Sequence, residues 1–282
     1  MITGLETRAS NAVERQLDRM IVASLRNAHN EAIRRYGQAL RNLENAKLQD
    51  QNTLNYTLQL QRAEAILQQI TDDMVRAGQV VLGHIENTKL LTYEQAYRWQ
   101  ASQLMRNNPI EARWGMYRRD VLRELLSQEQ GSPFMLIAYD RFAGREARAS
   151  MLPMFRQAFT EGVMLGEGTR ELSKRIQQIT NEKAWRARRI ARTELNRVKN
   201  WGHRRAAQQA RDEFGVDLTK RWLSATDERT RDMHEAISGT TISMEDYFIM
   251  GNGDRMQFPG DPAGSAENII NCRCTHVYIW RR

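Results

Sequence analysis

No proline occurs in the first 108 residues of this chain; the five prolines are Pro109, Pro133, Pro153, Pro259 and Pro262. Proline removes a backbone donor and clashes with the preceding turn, so a long stretch without it, also poor in glycine, favours long helices. The apolar residues agree. Val13, Leu17, Ile21, Leu25, Ala28, Ala32, Tyr36, Leu40 and Leu43 recur in steps of three and four, which is one face of a helix. Such a helix is about 45–50 Å long at 1.5 Å per residue, so it needs a second long helix to pack on or else it projects. Leu58 to Val75 offers that partner, with Leu60, Ala63, Leu67, Ile70 and Met74 on one stripe. Arg26, Arg34, Arg35 and Arg41 flank the first helix and read as a solvated face.

Further helices are expected at Tyr93 to Arg106, Trp114 to Ser127 and Met154 to Met164. Gly131-Ser132-Pro133 and Gly166 to Thr169 are the breakers, and Thr169 is suited to cap Arg170 to Gln178. After Phe214 the texture changes. Asp217 to Leu223 reads as a strand, Thr226 to Ile237 as a short helix closed by Gly239, and Gly251 to Ala266 as a loop. Cys272 to Trp280 alternates as a strand, with Cys272, Cys274, His276, Tyr278 and Trp280 on one face. The expected fold is mainly α with a small α+β C-terminal domain and an elongated helical N-terminal part. The expected domains are a helical region over 1–150 and a second domain over 151–282, helical to 211 and α+β from 212.

Charge narrows the function. The chain carries 42 Lys and Arg against 34 Asp and Glu. Ten basic residues and one acidic residue lie between Lys183 and Arg211, which leaves 32 basic and 33 acidic elsewhere. The basicity is therefore one segment, and a concentrated stripe suits a polyanion or an acidic protein surface better than a diffuse charge does. On a helical wheel Ala184, Ala187, Ile190, Ala191, Leu195, Val198, Trp201, Gly202 and Ala206 share one face. Arg186, Arg189, Arg197 and Arg204 share the opposite one, flanked by Arg188, Arg192 and Lys199, and are the candidate polyanion contacts. Glu194 falls inside the apolar face. A buried carboxylate needs a cation, and Arg229, Arg231 and Arg273 are the expected partners.

Apolar residues make up 41% of the chain, too many for a disordered tail. The longest apolar run, Phe134 to Tyr139, is far below the roughly 20 residues a bilayer requires, so no membrane partner is expected. Met1 to Ser10 has no signal-peptide core, which points to synthesis in a cytoplasm. The two cysteines, Cys272 and Cys274, are separated by one residue, poor spacing for a disulfide. No phosphate loop, nucleophile elbow or His-Glu-x-x-His is present.

Chemistry-bearing residues concentrate in Asp227-Glu228-Arg229-Thr230-Arg231 with His234, in Phe258-Pro259-Gly260-Asp261-Pro262, and in Ile270-Asn271-Cys272-Arg273-Cys274-Thr275. Together with Gly168-Thr169-Arg170-Glu171-Leu172, Ile190-Ala191-Arg192-Thr193-Glu194, Trp222 and Gly239, their order and spacing resemble the Mu F-type phage head morphogenesis (minor head protein) family, over roughly Phe155 to His276. The resemblance implies a minor protein of a tailed-phage virion, made in the bacterial cytoplasm. It implies association with portal or major capsid protein, and a place inside the head or at the portal vertex. There it would lie near packaged double-stranded DNA, bound without sequence preference. Relatives with a second cysteine pair imply a four-ligand zinc site. Here Arg231 and His234 stand at the comparable positions, so His234, Cys272 and Cys274 are one ligand short, with His276 the candidate fourth. The cysteines are therefore expected to be reduced and metal-free, and no cofactor is implied.

Asp227, Arg229, Arg231, His234 and Asn271 also admit two readings. One is an arginine–carboxylate network that locks a small domain, together with Glu194, Cys272, Arg273 and Cys274. The other is an active site, a phosphodiesterase or ADP-ribosyltransferase-like domain using Asp227, His234 and Arg192. No nucleophile–base pair is legible, so the chain is expected not to be an enzyme. A host DNA-binding protein built on the basic helix is the remaining alternative.

Overall fold

A computed structural model describes residues 3–49, 53–106, 120–121, 123–124, 133–167, 169–225 and 227–281. The expected helix at Trp114 to Ser127 and the breaker Gly131-Ser132 lie almost wholly outside these residues. The elements in chain order are α1 (Thr3–Gln49), α2 (Thr53–Arg106), α3 (Pro133–Ala143), α4 (Arg145–Leu165), α5 (Thr169–Phe214), β1 (Leu218–Leu223), α6 (Asp232–Ala236), β2 (Thr241–Ser243), β3 (Phe248–Ile249), β4 (Arg255–Met256), α7 (Ala266–Ile269) and β5 (Thr275–Trp280). The fold is mainly α with a small α+β C-terminal region, as the sequence indicates. No described helix is long and apolar enough to cross a membrane.

Several helices merge. The segments expected at Leu58 to Val75 and Tyr93 to Arg106 belong to one 54-residue helix, and the basic helix starts at Thr169 and runs 46 residues. No proline interrupts either helix. The glycines inside α2 cost stability but do not break it, and one of them serves packing. A Cβ on Gly78 would stand 3.0 Å from Ala143 Cβ and 3.1 Å from Lys183 Nζ.

The chain divides into two compact units, and neither is one continuous stretch. One comprises Asp18–His84 and Ile137–Arg188. Its core joins Ala32, Tyr36, Leu40 and Leu43 of α1 to Ala63, Leu67, Ile70 and Met74 of α2, with Phe155 and Phe159 of α4 and Ile176 of α5. These are the stripes that the periodicity marks, except that Leu60 is exposed. Arg35, expected on a solvated face, is half-buried and reaches Asp73 across the helix pair at 2.8 Å. Lys183 is buried in this unit, donating to the Phe142 carbonyl at 2.8 Å. Burial pulls its ammonium down to about 8.

The other unit comprises Met1–Leu17, Ile85–Leu136 and Arg189–Arg282. Its antiparallel sheet runs β2-β1-β5, with Lys220 opposite both Ile242 and Tyr278. β3 and β4 form a separate two-stranded ribbon. The sheet edge at β5 is covered by α2. Gln100 donates to the Tyr278 carbonyl at 3.0 Å and accepts from its amide at 3.2 Å, standing in for a neighbouring strand. Val198 and Ala206 of α5 pack against Tyr93, Tyr97 and Ala101 of α2. β5 starts at Thr275, so the two cysteines precede the strand, yet Cys272, Cys274, His276 and Tyr278 are all buried as the alternation requires.

Candidate functional site

The second half of α5 carries the candidate site, and it is wrapped rather than amphipathic. Six consecutive residues, Thr193 to Val198, are buried. No single wheel face can bury six in a row, so apolar or paired contacts must surround the helix. On one side lies α2. A Cβ on Gly202 would be 2.7 Å from the Tyr93 carbonyl oxygen, so only glycine lets the two helices approach this closely. On the other side lies the Phe258-Pro259-Gly260 loop. Gly260, at φ 85°, brings its backbone against Arg197, and Pro259 accepts a hydrogen bond from Asn200 at 3.0 Å. Asn200 also donates to the Cys274 carbonyl at 3.2 Å and accepts from the His276 amide at 3.3 Å, which ties the helix to β5.

Two expectations are corrected here. Arg197 does not lie on an exposed polar face. It is 3% exposed and pairs with Glu194 at 2.9 Å, because the Gly260 loop covers the side that the wheel left open. Glu194 is buried and ion-paired as expected, but with Arg197 and with Lys89 of α2, at 3.1 Å, rather than with Arg229, Arg231 or Arg273. Burial pushes its carboxyl up, and the two cations outweigh that and hold it below its ordinary value.

The remaining basic residues differ in exposure. Arg186 pairs with Glu182 and Arg188 with Asp18. Arg189, Arg192, Lys199 and Arg204 are half-exposed. Arg204 lies 5.9 Å over the Phe258 ring.

Arg192 and Thr193 dock the Asn-Cys-Arg-Cys segment. Arg192 donates to Asn271 Oδ1 at 2.8 Å, and Thr193 Oγ1 accepts from the Asn271 amide at 2.8 Å. Asn271 has φ 61°, the left-handed region that asparagine tolerates better than most residues. Arg273 forms a two-pronged contact with Asp227, its Nη2 reaching Oδ1 at 2.6 Å. These hydrogen bonds, aided by the Arg229 amide, hold the Asp227 carboxyl below its ordinary range. Arg229 itself is 4.0 Å away, and Arg231 donates to the Ile270 carbonyl at 2.6 Å.

Behind this segment, His234, Cys272 and Cys274 are buried together, their donor atoms within 4.8 Å of one another. Both cysteines are free thiols. His234 Nδ1 stands 3.3 Å from Cys274 Sγ and 3.6 Å from Cys272 Sγ. His234 Nε2 stands 3.0 Å from Asn268 Oδ1. Hydrogen bonding from Cys272 pulls the Cys274 thiol down, while the Cys272 thiol is pushed up by the same contact and by burial. His276 is not part of this group; its ring Nδ1 faces Asn200 Oδ1 at 3.1 Å.

Each of the three residues of the enzyme reading has a partner in the Asn271–Cys274 segment. Asp227 is exposed and engaged by Arg273, Arg192 holds Asn271, and His234 is buried against the thiols and Asn268. Sequence reasoning missed Lys89, Asn200 and Asn268. Each is a single polar residue whose partner lies far along the chain, so no local spacing marks it.

Residues 154–277 match the family described as Phage Mu protein F like protein. Among curated proteins, the chain is 30% identical over 148 residues to "Minor head protein GP7" of Bacillus phage SPP1, covering 52% of this chain and 47% of the relative. It is 29% identical over 122 residues to "NAD(+)--arginine ADP-ribosyltransferase EFV" of Enterococcus faecalis, covering 42% of this chain and 24% of the relative. The chain thus spans about half or less of the curated relatives it matches. No solved structure matches.

Proposed function

We propose that the chain is a structural and assembly protein of a tailed-phage head, a minor head protein without enzymatic activity. The observation that carries this reading is the shared segment with the minor head protein of phage SPP1. Its place is in the virion, inside the head or at the portal vertex, in contact with portal or major capsid protein and with packaged double-stranded DNA. Arg189, Arg192, Lys199 and Arg204 support the DNA contact, because they are half-exposed cations along the second half of α5. Phosphate contacts of this kind bind without regard to sequence. The 151–282 segment is the part that acts. Quantitative mass spectrometry of purified particles tests the reading. A few copies per full head are expected, and absence from particles that package DNA contradicts it.

The likeness to an arginine ADP-ribosyltransferase supports a second reading, transfer of ADP-ribose from NAD+. It covers 24% of that protein, and in this chain Asp227 and His234 are each engaged structurally. Incubation with labelled NAD+ and an arginine-rich acceptor separates the two readings. No transfer is expected.

A further inference from the structure

We propose that His234 Nδ1, Cys272 Sγ and Cys274 Sγ form a three-ligand site for a soft divalent cation such as Zn2+, with the fourth coordination place left to an exchangeable ligand. The sequence leaves the set one ligand short of a closed tetrahedron and so points to a metal-free pair. The geometry argues the other way.

The imidazole tautomer comes first. Asn268 Nδ2 donates to Asp254 Oδ2 at 2.7 Å and to Asn252 Oδ1 at 3.0 Å. With both amide protons used, the atom that Asn268 turns to His234 is its oxygen, an acceptor. His234 therefore carries its proton on Nε2, and its Nδ1 presents a bare lone pair. That lone pair faces two sulfurs, at 3.3 and 3.6 Å. A ring nitrogen oriented at its far end by an amide and a carboxylate behind it is the usual second layer of a metal-bound histidine.

The spacing agrees. Metal–sulfur bonds of about 2.3 Å and metal–nitrogen bonds of about 2.0 Å, at a tetrahedral angle, separate sulfur from nitrogen by about 3.6 Å. Charge agrees as well. Two thiolates and one divalent cation sum to zero, so all three side chains can be buried without an unpaired charge. Thiolate and imidazole donors select zinc over magnesium or calcium.

The fourth place distinguishes this chain from the four-ligand arrangement that the family resemblance implies. Arg231, three residues before His234, is turned to the Ile270 carbonyl, and His276 is turned to Asn200. Among the described residues no other His, Cys, Asp or Glu joins the group.

The full chain, reduced and stripped of metal, is titrated with Co2+ as an optical probe. The expected result is one equivalent bound, with thiolate-to-cobalt absorption in the near ultraviolet that Zn2+ abolishes by displacement. Cys272→Ser and Cys274→Ser each remove that absorption, and Asn268→Ala weakens binding about 10- to 100-fold by freeing the imidazole. Free imidazole shifts the visible cobalt bands by taking the fourth place. Absence of a charge-transfer band in the parent protein overturns the site whatever the variants do. A band that survives both serine substitutions overturns the ligand set. Visible bands indifferent to imidazole overturn the open fourth place.

Discussion

Replacing Glu194 by glutamine removes the buried carboxylate that Arg197 and Lys89 share. The carboxylate is 1% exposed, Arg197 is 3% exposed, and they meet at 2.9 Å. Lys89 reaches the same oxygen at 3.1 Å and also has Glu86 at 3.1 Å, so it keeps a partner in the variant. Arg197 loses its carboxylate while its surroundings stay closed. Breaking a buried pair on one side costs about 3–5 kcal/mol, because the remaining charge stays desolvated. For a unit of this size, roughly 2–4 °C of melting temperature follows each kcal/mol, so Glu194→Gln lowers the transition by about 6–20 °C. Pairing it with Arg197→Met removes both charges and recovers most of the loss, since apolar replacements of a whole buried pair are often neutral. The acid limb gives an independent sign. The folded-state carboxyl lies below its ordinary value of 4.5, so its contribution is present above that value and is lost as pH falls through the lower one. Glu194→Gln removes that part of the acid sensitivity. Calorimetry of the parent, single and double variants at neutral and acid pH reads all three effects. A single variant that melts within about 1 °C of the parent, or a double variant no better than the single, refutes the reasoning.

Gly202→Ala destabilises by about 1–3 kcal/mol through overpacking against the Tyr93 carbonyl, whereas helix propensity alone predicts a gain of up to about 1 kcal/mol. The shift of the urea midpoint at constant slope decides the sign. Asn271→Ala places an alanine in the left-handed region at a cost of about 1–2 kcal/mol and loses the Arg192 contact, whereas Asn271→Gly loses only the contact. The glycine variant should therefore melt closer to the parent.

Much of this architecture is legible along the chain because its signals are local. The three-and-four spacing of Tyr36, Leu40 and Leu43 and of Leu67, Ile70 and Met74 finds two faces of one core. Alternation finds the burial of His276 and Tyr278. What misleads is the assumption that a helix has one inside. Arg197 sits opposite the apolar stripe on a wheel, yet the Gly260 loop closes over it. Glu194 announces that it needs a cation, but only the tertiary fold selects Lys89, some hundred residues earlier, over the nearer arginines of the C-terminal region. The same limit applies at the cysteines. The order of His234, Cys272 and Cys274 suggests a cluster, while Asn268 and Asp254, which fix the imidazole, have no spacing that ties them to it.

The most direct test of the proposed role in the head is the salt dependence of duplex DNA binding by the parent and by a variant with Arg189, Arg192, Lys199 and Arg204 all changed to glutamine. Four phosphate contacts give a log–log slope near −3.6, at about 0.9 per phosphate neutralised, and random-sequence duplexes compete fully. The variant should lose most of both the affinity and the slope while Arg197, buried with Glu194, stays in place. A variant that binds as tightly and as salt-sensitively as the parent contradicts the account, and so does a parent whose binding ignores salt.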